Sequence, residues 1–208
     1  MNGLLVDFGG VLTTNVFDSF KEFCRAEGLP EDAVKNRFRD GGEGLALLRR
    51  LEKGDLTADA FSQQFAPLLG VSPDNLVGRL FGGIGPDEPM LEAVRRAKAA
   101  GIRTGLISNS WGDGLAYDPA LLAELFDGVV ISGEVGLHKP QPEIFQFGAE
   151  RIGVDPRDCV FVDDLRENCA GAEAVGMKAI LHRGAERTLP QLEELLGVPL
   201  SRAGGMRT

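Results

Sequence analysis

Residues 4–14 read Leu4-Leu5-Val6-Asp7-Phe8-Gly9-Gly10-Val11-Leu12-Thr13-Thr14, an apolar run that ends in an aspartate followed by glycines. Unbroken apolar residues mark a strand covered on both faces, so Gly3–Val6 reads as a central strand that aims Asp7 off its end. Glycines just behind a carboxylate suit a backbone that must approach a ligand or metal closely.

Four similar runs follow, at 103–107, Gly128–Ile131, 159–162 and Lys178–Leu181. Helical patterns separate the later runs, at 89–100, Pro119–Leu125, 142–151 and 168–175, and one more follows at 189–196. Strands alternating with helices of this length imply right-handed crossovers. The expected fold is α/β, a doubly wound Rossmann-like parallel sheet with helices on both faces.

Residues 15–85 break the rhythm. They hold amphipathic stretches at 17–26, 45–51 and Ala58–Leu69 and no strand pattern, with Gly28-Leu29-Pro30, Gly54-Asp55 and Gly70-Val71-Ser72-Pro73 as punctuation. A small all-helical unit inserted after the first strand is expected. The core is then 1–14 plus 86–200, the insert 15–85, and 201–208 a disordered tail. Thr14-Asn15 and Gly82-Gly83-Ile84-Gly85-Pro86 are the expected hinges.

The bulk numbers exclude some classes of function. A net charge of −9 argues against a nucleic-acid surface, which needs clustered Lys and Arg. The three cysteines, Cys24, Cys159 and Cys169, are scattered without a CxxC pair, which argues against zinc and for reduced thiols. No apolar run approaches the ~20 residues that span a bilayer. The first residues lack the basic and long apolar segments of a signal peptide. A cytoplasmic location and no membrane partner are expected. Pattern alone leaves monomer and homodimer both open.

In an open parallel sheet, ligands bind beyond the carboxyl ends of the strands. Asp7 follows the first strand, and Ser108-Asn109-Ser110-Trp111 the second. Ser132-Gly133-Glu134 and Leu137-His138-Lys139-Pro140 follow the third, and Asp163-Asp164 the fourth. This ordered set of acid, hydroxyl, lysine and acid pair resembles the haloacid dehalogenase superfamily of hydrolases. "DFGGVL" looks like its first motif, "LISNS" its second, "HKPQPEIF" its third and "FVDDLRENCAGAEAVGM" its fourth. A helical cap after the first motif is also a family feature. The SNSW phrase and the stretch from residue 139 to 177 are similar to the N-terminal phosphatase-like domain of soluble epoxide hydrolases.

The resemblance implies that Asp7 is a nucleophile that forms an acyl-phosphate. It implies that Ser108 and Asn109 bind phosphate oxygens and that Lys139 neutralises the phosphate and steadies Asp7. Adjacent carboxylates repel unless a hard cation separates their charges, and Mg²⁺ favours a few carboxylates plus water and phosphate oxygens. By resemblance, Asp7, Asp164 and the Gly9 carbonyl hold Mg²⁺, with Asp163 at the edge of the sphere. A small phosphorylated metabolite is the implied partner. Pro140 reads as the first turn of the next helix. Trp111 either faces the pocket or packs under the cap. Glu43, in the "GGEG" of the insert, reads as a solvated loop residue or as a group aimed at the site, and residues around 40–44 are expected to choose the substrate.

One position departs from the family pattern. Family phosphatases usually carry a second aspartate two residues after the nucleophile, and here that position is Gly9. Three outcomes stay open: a phosphatase with a substitute acid or substrates with good leaving groups, a halide-displacing hydrolase, or a catalytically weak member that binds a ligand or partner.

Overall fold

The computed structural model describes residues 1–39, 41–112 and 117–201. The expected tail therefore lies, from residue 202 onward, outside the described residues, as does Asp40. Ser201 is anchored, because its N–H and hydroxyl both donate to Glu193 at 2.7 Å.

The chain opens with β1 (Gly3–Val6) and then forms α1 (Val16–Ala26), α2 (Ala33–Arg39), α3 (Glu43–Glu52), α4 (Ala58–Leu69) and α5 (Leu76–Leu80). It continues through α6 (Glu88–Ala99), β2 (Arg103–Ser108), α7 (Pro119–Leu125), β3 (Gly128–Ile131), α8 (Ser132–Val135) and α9 (Pro142–Ile152). The last elements are β4 (Cys159–Asp163), α10 (Arg166–Ala174), β5 (Lys178–Leu181) and α11 (Ala185–Leu196).

All strand pairs are parallel, in the order β3-β2-β1-β4-β5. The period of two along each strand divides the core between two faces. Leu4, Val6, Leu106, Val160 and Val162 point into one apolar cluster, with Met90, Val94, Leu192 and Leu196 from α6 and α11. Leu5, Ile107 and Phe161 point into the other, with Ile144, Phe145 and Ala172 from α9 and α10. This is the expected doubly wound Rossmann-like architecture. Chain order reverses at β1, whose neighbours are β2 and β4, and a crevice forms there at the strand ends.

The helices between β1 and α6 have an apolar cluster of their own, built on Phe20, Phe23, Phe61, Phe65, Leu76 and Leu80. α1 begins where the Asn15 side chain accepts the Phe17 N–H at 2.8 Å, and Phe20, Phe23 and Cys24 repeat at helical spacing onto one face. The two links between this insert and the sheet lie side by side. Thr14 N–H donates to the Gly85 carbonyl at 2.8 Å, and Asp87 N–H to the Leu12 carbonyl at 2.9 Å. The two stretches expected as hinges are thus hydrogen-bonded to each other.

Two local expectations are corrected. Pro142, not Pro140, occupies the first turn of α9, and Pro140 sits in the turn before it. α11 starts at Ala185, four residues ahead of the sequence reading, because Thr188 and Leu192 bury on one face despite Pro190 inside the helix. Among the described residues, no helix is long and apolar enough to cross a membrane.

Gly171 on α10 shows how tightly the layer beneath the crevice packs. A Cβ there would lie 2.5 Å from the Pro140 carbonyl oxygen and 2.7 Å from the Phe145 ring. Gly171→Ala should push α10 away from the Lys139–Pro140 turn and destabilise the fold by about 1–3 kcal/mol, the usual range for overpacking. Urea denaturation reads this directly, and an unshifted midpoint would contradict the packing described.

Candidate active site

Three loops at the carboxyl edge of the sheet meet on one ammonium group. Lys139 Nζ lies 2.7 Å from Asp7 Oδ1, just past β1, and 2.7 Å from Asp163 Oδ2, the last residue of β4. Register places these acids side by side: Val6 pairs with Val162, and the Asp7 N–H extends the ladder to the Val162 carbonyl at 2.9 Å. Lys139 is only 3% exposed and Asp163 fully buried, so neither charge could persist there alone. Burial acts to lower the Lys139 pKa, but Asp163 and Asp7 outweigh it and hold the ammonium above its ordinary range.

The carboxylates differ in their surroundings. Asp163 also accepts the Leu165 N–H at 2.8 Å and the Asn168 amide at 3.0 Å, so its oxygens are committed to holding Lys139 and the turn into α10. Burial pushes the Asp7 carboxyl up to about 7 against the pull of Lys139, with Asp163 and Asp164 adding to the rise. Asp164 is half-buried and is raised to about 6 by burial and then by Asp163. Oxygens of Asp7, Asp163 and Asp164 lie within 4.8 Å of one another.

The glycine loop has a steric cause. Gly10 has φ +76°, and a Cβ on it would lie 2.7 Å from an Asp164 carboxylate oxygen. Only glycine satisfies both conditions without strain. The Gly10 N–H donates to Thr13 Oγ1 at 3.0 Å, which closes the loop.

At the end of β2, Ser108 is buried and its hydroxyl lies 2.9 Å from the Tyr117 hydroxyl. Asn109 grips the backbone of Lys139: its Oδ1 accepts the Lys139 N–H at 2.9 Å and its Nδ2 donates to the Lys139 carbonyl at 3.2 Å. Tyr117 was not singled out from the sequence, since one tyrosine ahead of a helix carries no periodic signal. Its ring packs edge-on to Phe8 at 4.9 Å, and burial lifts its pKa to about 12.

Asp7, Gly9, Ser108, Asn109, Lys139 and Asp164 line one cavity, which holds about 850 Å³ of atom-free space including its open mouth. Asp163 stands behind it. The opposite wall comes from the insert and is apolar: Val16, Phe17, Phe20, Phe38, Leu48, Phe81 and Ile84. Trp111 does both things the sequence left open. It lines the cavity, and its ring packs against Phe81 at 4.6 Å and Phe20 at 6.0 Å.

Glu43 is exposed at the start of α3 and is not among the cavity's lining residues. The acid that does reach the cavity is Glu52, at the other end of the same helix. Burial raises its pKa to about 7, against attraction to Lys139 and Arg49 and a hydrogen bond from Asn109, while Glu167 adds repulsion. His138 is turned away to Gln141, with Nδ1 2.6 Å from Oε1.

A five-stranded parallel sheet of order 3-2-1-4-5, with a buried acid–lysine–acid bridge at its switch point and an apolar helical wall above, defines a class of α/β hydrolytic fold. The chain belongs to the haloacid dehalogenase-like hydrolase family, whose model matches residues 1–176. It is 33% identical to bifunctional epoxide hydrolase 2 of Sus scrofa over 96% of this chain and 40% of that protein. The chain thus spans less than half the length of the first curated relatives it matches. It is 29% identical to a phosphatase of Mycobacterium tuberculosis over 87% of each. A haloacid dehalogenase family enzyme of Bacteroides thetaiotaomicron, solved with magnesium and inorganic phosphate, shares its fold: TM-score 0.65, 23% identity, 88% of this chain and 94% of that one.

Replacing the shared cation tests the bridge. Lys139→Met leaves Asp163 and Asp7 buried without their partner and should cost about 3–5 kcal/mol, the usual penalty for breaking a buried pair on one side. Chemical denaturation in metal-free buffer measures it. A loss under ~1 kcal/mol, as for an exposed pair, would contradict the account.

Proposed function

We propose that this chain is a magnesium-dependent phosphatase that cleaves small phosphate monoesters with an apolar organic body, through an aspartyl-phosphate on Asp7. The observation that carries this reading is the convergence of Asp7, Ser108, Lys139 and Asp164 on one cavity, with Lys139 touching Asp7 at 2.7 Å.

Attack requires an ionised carboxylate near a neutralised phosphoryl group. Lys139 pulls the Asp7 carboxyl toward its ionised form against the rise that burial imposes, and it directs a further N–H at a phosphoryl oxygen, since an ammonium has three donors. The Ser108 hydroxyl adds a donor, and Asn109 holds Lys139 in place through its backbone. Asp7 then attacks phosphorus, the ester oxygen departs, and water later hydrolyses the acyl-phosphate.

The donor set fits magnesium. Three clustered carboxylates against one ammonium leave a net of two negative charges where a phosphate dianion must enter. All the available donors are hard oxygens, which Mg²⁺ prefers. Asp7, Asp164 and the Gly9 carbonyl would hold it, with Asp163 bracing the site from behind. When bound, the ion offsets the charge of the phosphoryl oxygens. The relatives that are phosphatases, and the fold relative bound to magnesium and phosphate, support the same reading.

The insert acts as a cap that closes the cavity and excludes water. Its aromatic wall favours an apolar ester over a sugar phosphate, because polar hydroxyls would lose hydration there without gaining partners. The substrate contacts then come from Phe17, Phe20, Phe38 and Trp111 rather than from the Gly-rich stretch near 40–44.

Two measurements test the reading. Magnesium should be required for phosphate release from 4-nitrophenyl phosphate, and Asp7→Asn should abolish that release. Chloride release from a 2-haloacid without metal would contradict it. Trp111→Ala should weaken kcat/KM for 2-phenylethyl phosphate by roughly three- to tenfold, as lost aromatic contacts of about 0.5–1.5 kcal/mol imply, and should leave glycerol phosphate unaffected. Equal losses on both esters would place the substrate body elsewhere.

A further inference from the structure

We propose that Glu52, carried on the helical insert, is the general acid–base residue of this site. The inference rests on the phosphatase reading above and supplies its missing proton-transfer group.

An alkoxide leaves a phosphate monoester slowly unless a proton reaches its oxygen, and a positioned acid is worth about 10²- to 10⁴-fold. Among the described residues, three carboxylates line the cavity: Asp7, Asp164 and Glu52. Asp7 is committed as the nucleophile, and Asp164 faces the glycine loop within reach of Asp7. Position 9 offers no side chain. Lys139 spans two carboxylates and stays charged. Among the described residues of the cavity wall, Glu52 is the remaining group that can both give and take a proton near neutrality.

Its position is suitable. In-line displacement puts the leaving oxygen on the side of phosphorus away from Asp7, toward the insert. Glu52 is the ionisable side chain that the insert contributes to the cavity lining among the described residues. Its location is fixed by the core: the Ser132 hydroxyl donates to the Glu52 carbonyl. Gly54, just beyond, packs against the backbone of Gly133, where a Cβ would approach to 2.8 Å. The end of α3 is thus seated on the loop after β3, so the carboxyl belongs to the closed cavity.

The balance is complete. An Asp7 oxygen bonds to phosphorus as the ester P–O bond breaks, and the leaving oxygen takes the Glu52 proton to become an alcohol. Water then attacks the same phosphorus and yields its proton to the Glu52 carboxylate. The P–O bond to Asp7 breaks, its electron pair returns to the carboxylate, and inorganic phosphate departs with Glu52 protonated again.

The groups facing Glu52 set its titration: Lys139 from the core, Arg49 on its own helix, Glu167 on α10, and the Asn109 amide. With a pKa of about 7, the acid form required for the first step is present below that value and lost above it. The kcat/KM for an alkyl ester should therefore fall as pH rises through ~7.

The test compares Glu52→Gln with wild type on two probes, 2-phenylethyl phosphate and 4-nitrophenyl phosphate, with magnesium present. The alkyl ester should lose roughly 10²- to 10⁴-fold in kcat/KM, and the nitrophenyl ester less than about tenfold, since nitrophenolate leaves unprotonated. The alkaline limb of the alkyl profile should vanish in the variant. Glutamine keeps the shape of the side chain, and a matching melting temperature verifies the fold. A carboxylate restored on the core side gives a second arm. Gly9 has no left-handed φ, and a Cβ there meets only a Val16 methyl at 3.2 Å, so Glu52→Gln/Gly9→Asp should recover alkyl-ester turnover. Equal losses on both probes with no recovery would make Glu52 a latch between insert and core and overturn the proposal. So would unchanged alkyl-ester turnover in Glu52→Gln. If wild type hydrolyses neither probe, or Asp7→Asn retains activity, it is the phosphatase reading itself that fails.

Discussion

A single buried ammonium between two carboxylates organises this molecule. Lys139 lies 2.7 Å from both Asp7 and Asp163, and none of the three charges would be tolerable at that depth without the others. The bridge ties together the ends of β1 and β4 and the turn before α9, so the sheet's switch point and its chemistry are set by the same contacts. Asn168 and the Leu165 N–H complete the shell of Asp163, and Asn109 clamps the Lys139 backbone. The amide side chains around the site therefore act as braces. The groups left facing the cavity are the ones able to react or to hold an ion.

The site divides its work between two parts of the chain. The strand ends make the polar floor of the cavity, and the helical insert makes its aromatic wall. The two links to the insert are hydrogen-bonded side by side.

Much of the fold was legible because the strands carry short apolar runs and β1 and β4, at the centre of the sheet, are buried along their whole length. The strands at Gly3–Val6, Gly128–Ile131 and Lys178–Leu181 have the bounds that pattern implied. The short helices α2, α5 and α8 were not legible, since so few turns give no periodicity to read. Pro190 concealed the start of α11 because proline ordinarily marks a helix's first turn. At the site, residues next to strand ends were readable, because strand geometry fixes where they point. Tyr117 and Glu52 were not, because each arrives from an element whose placement only tertiary packing decides. Glu43 drew attention through its glycine neighbours, whereas the acid at the opposite end of that helix reaches the cavity.

The central claim is that Asp7 stands in line behind the phosphoryl group and takes it covalently. Acid quenching during turnover of a phosphate ester, followed by peptide mass spectrometry, tests this most directly. The account predicts one phosphoryl group on the peptide that contains Asp7, building up and decaying at rates compatible with turnover. Turnover with no such adduct, or with the phosphoryl group on another residue, would contradict it.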